Sequence, residues 1–142
     1  MFILAAHMRK TRIFFVLIGA VLLLILQTSC KDDPPPLKNL VSEASMLNGK
    51  CPEMVDSETR IDSVVLTTEG KLAYYYTMTQ RTSATVNPLA FNAYLIPLII
   101  KNVRYNSSLI MFRDSSVSML FNYQDRNGVF VTEISIEPDQ YQ

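Results

Sequence analysis

The stretch MLFNYQDRNGVFVTEISI, residues 119–136, decides the fold. Alternating apolar residues run from Val117 to Tyr123 and again from Val129 to Ile136. Between them lies QDRNG, in which Asn127 and Gly128 favour the positive φ angles of a tight hairpin turn. Pro138 ends the second strand, because a proline has no N–H to give a sheet ladder. The same logic works upstream. Ile61 to Thr67 is rich in β-branched residues, TTEG follows, and KLAYYYTM (71–78) alternates Leu72, Tyr74, Tyr76 and Met78 against Ala73, Tyr75 and Thr77. This predicts a second hairpin.

Each hairpin is preceded by a helical pattern. Leu37, Leu40, Val41, Ala44 and Leu47 recur at three- and four-residue spacing and Gly49 supplies a stop, so the spacing predicts an amphipathic helix. CPEMVDSETR (51–60) carries Pro52 and several turn-formers and reads as a loop. Asn87 followed by Pro88 is an N-cap with proline at the first helical position. PLAFNAYLIPLIIKNVR (88–104) is apolar on most faces, which predicts a buried central helix that Pro97 kinks or splits. A short helical turn fits Leu109 to Phe112. The order helix, hairpin, helix, hairpin predicts an α+β fold, a four-stranded antiparallel sheet with helices packed on one face. A chain of this size buries enough surface to fold without a metal or disulfides.

Upstream of the fold the composition changes. Ile13 to Leu26 is an apolar run of fourteen residues, preceded by MRKTR and followed by Thr28 and Ser29. About 20 apolar residues are needed to span a bilayer as a helix, so this run has the length of a signal-peptide core instead. The basic segment fits best with a start at Met8, leaving MFILAAH as an upstream extension. The stretch LQTSC followed by KDD (26–33) resembles a bacterial lipoprotein signal, with Gln27 where leucine is usual. The resemblance implies cleavage between Ser29 and Cys30. It further implies a diacylglyceryl group and fatty acyl chains on Cys30, with no other cofactor. One acyl chain holds a protein to a bilayer only marginally, and two or more hold it firmly. Lys31, Asp32 and Asp33 resemble a sorting signal for the outer face of the outer membrane in Gram-negative bacteria; a periplasm-facing location stays open. Pro34 to Pro36 predicts an extended spacer. The expected layout is signal peptide 1–29, lipidated acidic and proline tether 30–37, and one α+β domain 38–142.

The domain itself also resembles a family: small bacterial proteins of uncharacterised activity, many of them lipoproteins. They carry a CP-x-x-VD-x-x-TR-[IL]-DS-V stretch ahead of a tyrosine-rich strand, here CPEMVDSETRIDSV (51–64) and LAYYYTM (72–78). Their C-terminal aromatic strand, D-x-x-G turn and final strand match residues 119–136. The resemblance implies a fold and no reaction.

Several function classes are excluded by residue type. From Cys30 onward there are ten basic and thirteen acidic residues, and a net-acidic domain without a basic cluster is a poor match for nucleic acid. The one histidine, His7, lies in the segment that maturation removes. Nucleophile systems built on histidine and histidine-containing zinc sites are therefore out of reach. Glu53, Asp56, Glu58 and Asp62 offer carboxylates within ten residues, but their spacing matches no calcium loop, and capping and ion-pair duties explain them. Cys51 is either a buried small apolar residue or a reactive thiol. Tyr75 and Tyr123 are candidates for a partner-binding aromatic row, although core packing is the commoner use of strand tyrosines. Asp62, Ser63 and Val64 resemble a bacterial O-glycan acceptor with Ser63 as the modified residue. The expectation is thus a non-enzymatic binding or accessory module on an outer-membrane lipid anchor, whose partner is a protein or a surface glycan, with the oligomeric state left open. The competing reading is a carboxylate enzyme or metal-binding accessory using the 53–62 loop; converging Asp56 and Asp62 would favour it, and a tyrosine-lined sheet face would favour binding.

Overall fold

The computed structural model describes residues 37–142; the expected signal peptide, Cys30, Lys31, Asp32, Asp33 and the proline run lie outside them. Helix α1 (Leu37–Asn48) buries Leu40 and Ala44, one turn apart on one face. It stops where the Gly49 N–H donates back to the Ser45 carbonyl at 2.9 Å. Three strands follow: β1 (Glu53–Met54), β2 (Thr59–Leu66) and β3 (Leu72–Met78). The β2–β3 turn closes through Gly70 at φ +77°, a conformation that glycine adopts without a Cβ penalty. Helix α2 (Pro88–Tyr105) begins at Asn87, whose side-chain oxygen accepts the N–H groups of Leu89 and Ala90 at 3.0 and 3.3 Å. A 3-10 turn (Ser107–Leu109) leads into α3 (Ile110–Asp114). Then come β4 (Met119–Gln124), β5 (Phe130–Ile136) and the one-turn helix α4 (Pro138–Tyr141).

The α+β class and both hairpins are as the sequence predicts, but the sheet is not four antiparallel strands. It has five strands in the order β1-β2-β3-β4-β5. The extra strand, β1, lies in the segment read as loop and pairs antiparallel with Arg60 and Ile61. The central pair, β3 and β4, is parallel, with Tyr74 opposite Phe121 and Tyr76 opposite Tyr123. The two hairpins are joined by a crossover through α2 and α3. A crossover returns the chain to the end of the sheet where β3 began, so β4 must run the same way as β3.

One face of the sheet carries Val64, Leu72, Tyr74, Met119, Phe121, Tyr123, Ile134 and Ile136 into a single core. Leu40 and Ala44 of α1, Ile99 and Val103 of α2, and Leu109, Phe112 and Tyr141 join the same core, so the helices share one face of the sheet. A bulge between Ile61 and Ser63 resets the alternation along β2. It aligns Ile61 with Tyr76 and Val64 with Tyr74 on the core side, although the two are three residues apart.

Helix α2 continues through Pro97, so of the two expected outcomes, a kink or a split, the split does not occur. It departs from expectation in not being a buried central helix: Ile99 and Val103 are its buried residues, while Leu89 is 82%, Tyr94 68% and Leu98 48% exposed. Its surplus of apolar faces is larger than one side of a sheet can cover.

Candidate functional site

Helix α2 borders an open groove of about 1000 Å³. Phe91, Tyr94, Leu95 and Leu98, spaced three and four apart, form one wall. The β1–β2 turn, Val55 to Thr59, forms the other, and Tyr76, Phe121 and Tyr123 form the floor. The floor is rigid for a reason visible in the strand register. Tyr74 and Phe121, directly opposite, stack at 5.1 Å, and Tyr76 and Tyr123 stack at 4.9 Å. Phe91 meets Tyr123 edge-on at 5.2 Å. Offset and edge-on aromatic pairs of this kind add about 0.5–1.5 kcal/mol each beyond the area they bury.

Hydrogen bonds fix the two walls. The Asp56 carboxylate accepts the N–H groups of Glu58 and Thr59, both at 2.7 Å, which closes the turn. These bonds, the Glu58 N–H foremost, hold its pKa below the ordinary carboxylate value. The turn is tied to the end of β3, where the Glu58 carbonyl accepts the Thr79 N–H at 2.7 Å and Arg81 pairs with the Glu58 carboxylate at 2.9 Å. The loop entering α2 is held by Asp125, which is buried in the β4–β5 turn. Its carboxylate accepts from the backbone of Ser83, Asn127 and Val129. Those bonds, led by Ser83 and Val129, lower its pKa against the opposing effect of burial.

The opposite face of the sheet is different in kind. Thr77 donates to Asp62 at 2.5 Å and accepts from Gln124 at 2.9 Å. Arg60 pairs with Asp62 at 2.6 Å, completing a polar ladder across three strands. Tyr75 and Phe130 stand beside this ladder around a shallow depression of about 390 Å³, with Ser63 and Asn122.

The residues singled out in the sequence are therefore dispersed. Tyr75 lies half-exposed on the polar face, and Tyr123 is buried in the core-side floor, so the two do not form one aromatic row. Alternation explains it: Tyr75 is opposite Asn122, and Tyr123 is opposite Tyr76. Ser63 sits within β2, opposite Tyr75. Asp56 closes the groove turn while Asp62 belongs to the ladder on the other face. The acidic loop thus forms no convergent carboxylate site, and among the described residues no group of three or more His, Cys, Asp or Glu is placed to hold a metal. The Cys51 thiol, partly buried against the core, points to the Leu47 carbonyl at 3.9 Å. Burial foremost, then Glu53 and Asp62, pushes its pKa up, which is the wrong direction for a nucleophile. The groove-wall residues Tyr94 and Leu98 were missed. Their signal was present, since a helix apolar on most faces needs more than one partner surface.

By geometry the described residues form an α+β domain with an open groove floored by aromatic rings. The chain is a member of the family described as Domain of unknown function (DUF8479), which it matches over residues 38–130. No curated protein matches its sequence. Its fold is shared by the pilotin EpsS of the Vibrio vulnificus type 2 secretion system, at 11% identity and a TM-score of 0.58 over 75% of this chain and 92% of that one. It is shared as well by the type II secretion system pilotin AspS of Vibrio cholerae, at 11% identity and a TM-score of 0.55 over 73% of this chain and 91% of that one. A Pseudomonas aeruginosa protein described as a candidate secreted protein matches at 12% identity and a TM-score of 0.54, over 75% of this chain and 89% of that one.

Proposed function

We propose that this protein is a non-enzymatic, lipid-anchored accessory module of the Gram-negative outer membrane that docks a segment of a partner protein in the groove between α2 and the β1–β2 turn. The observation that carries the reading is the exposed apolar wall of α2, with Tyr94 68% and Leu98 48% exposed above a floor of stacked aromatics. A helix that exposes large apolar side chains beside a groove is the usual form of a surface awaiting a protein partner. The pilotin fold likeness supports an accessory role in an envelope assembly. Among the described residues no helix is long and apolar enough to cross a membrane. Attachment through Cys30, after cleavage behind Ser29, supplies the membrane contact in this reading. Lys31, Asp32 and Asp33 act there as the sorting signal.

The test uses the full chain in cells, with a photo-reactive benzophenone amino acid placed at Tyr94 or Leu98, and at Tyr75 on the polar face as the contrast. The reading expects the two groove positions to cross-link one and the same protein and Tyr75 to stay unlinked. Cross-linking from Tyr75 in equal yield, or none from the groove, would sink it. The anchor is tested separately, since Cys30→Ser should leave the protein unprocessed or release it from the membrane fraction.

A further inference from the structure

The groove is not uniformly apolar. Tyr76 and Tyr123 are stacked in its floor, and among the described residues their hydroxyls have no hydrogen-bond partner, whereas the Tyr141 hydroxyl donates to the Val117 carbonyl at 2.8 Å. Among the described residues the Asn92 Oδ1 is the one sealed side-chain polar atom without a partner, so the Tyr76 and Tyr123 hydroxyls are not sealed, and both residues line the groove. Asp56 lies close enough that its charge, second to burial, helps push the Tyr123 phenol up to about 12. The Oδ1 of Asp56 accepts two backbone N–H groups, and the Thr59 side chain adds a further hydrogen bond to the carboxylate. The charged residues lining the groove are Asp56, Glu58 and Arg81. Glu58 and Arg81 neutralise each other at 2.9 Å, which leaves the Asp56 charge unbalanced.

The Asp56 carboxylate is thus the one charge without a countercharge among the residues lining the groove, and it lies beside aromatic rings whose faces also favour a cation, while the two phenols can accept as well as donate. We infer that the Asp56 end of the groove receives one cationic side chain, an arginine or lysine, of the docked segment, while the Tyr94 and Leu98 wall takes that segment's apolar face. Arginine fits best, since a planar guanidinium can lie along an aromatic ring and still donate to a carboxylate. The inference rests on the docking reading above and adds the chemistry of the partner's anchor residue.

Asp56→Asn keeps an oxygen able to close the β1–β2 turn and removes the charge; because the folded pKa of Asp56 is lowered, the urea unfolding midpoint should fall at neutral pH, and capture is compared under conditions where both proteins are fully folded. In full-length protein cross-linked through Tyr94, the captured fraction should fall roughly tenfold, in line with loss of a charge-assisted hydrogen bond. Tyr123→Phe, which keeps the ring and removes the hydroxyl, should lower it by about threefold, a neutral hydrogen bond's share. Mass spectrometry of the cross-linked peptide should find an arginine or lysine within one helical turn of the linked residue. Its change to Gln should match the Asp56→Asn loss and add nothing to it. A partner segment without a basic residue, or undiminished capture by Asp56→Asn, would overturn the anchor and leave docking intact. A groove that captures nothing at all takes down both.

Discussion

The two halves of α2, divided by Pro97, are one continuous helix in two different settings. In the C-terminal half, Ile99 and Val103 enter the core, and the Arg113 guanidinium donates to the Val103 and Asn106 carbonyls at 2.8 and 2.7 Å. Arg104 reaches the Gln140 carbonyl of α4 at 2.9 Å. In the N-terminal half no residue is fully buried: Phe91, Leu95 and Ile96 are partly buried against the core, and polar attachments add to them, namely the Asn87 cap, an Asn92 amide donating to Thr132 at 2.9 Å, and the Asp125 clasp on the preceding loop. One half is anchored by fully buried residues, the other by partly buried ones with a larger share of polar attachments. A helix secured in this way keeps a fixed position while leaving its apolar side chains free for a partner.

The largest expected effect comes from the buried end. Phe112 is fully buried against that half of the core, so Phe112→Ala should cost about 3–5 kcal/mol in urea unfolding. Amide exchange should accelerate first in residues 99–105. A cost below about 1 kcal/mol would mean that apolar packing does not distinguish the halves.

Acid should act on the other half. The folded pKa of Asp125 is lowered, so the unfolded chain binds more protons near and below the ordinary carboxylate pKa of about 3.9. Its stabilising contribution is full above that value and is lost as pH falls through the lowered one. Asp125→Asn should therefore weaken the protein at neutral pH and flatten the acid limb of its stability profile. Exchange should speed up around residues 83–95 before the Val103 turn responds. An unaltered acid limb would show that the Asp125 clasp does not govern this half.

Much of this arrangement was legible in the sequence, and the parts that were not have physical causes. Asn127–Gly128 and the Asn87–Pro88 cap encode their turn and helix start locally: the cap forms as read, while in the turn Gly128 alone takes the positive φ read for both residues. The parallel β3–β4 pair depends on where a crossover docks, a long-range outcome that alternation within each strand does not carry. Strand β1 is two residues long and exists because β2 offers an edge beside it. Tyr75 and Tyr123 look alike as strand aromatics, and only the register assigns them to opposite faces. The apolar character of residues 88–100 was plain, yet composition cannot say whether such a helix is covered by its own chain or by another. Cys30 and its neighbours rest on the lipoprotein resemblance alone.

The smallest expected effect on stability is the one that separates folding from binding. Tyr94 is 68% exposed on the free half, and surface substitutions without buried partners change stability by less than about 0.5 kcal/mol. Tyr94→Ala should therefore leave the urea midpoint unmoved. In the same protein, capture of a partner through a photo-reactive group at Leu98 should fall sharply, because an exposed aromatic at the centre of an interface is a typical source of binding energy. A drop in stability with capture unchanged would invert the comparison. Tyr94 would then belong to the fold, and the free half of α2 would be a loosely packed part of the core instead of a waiting surface.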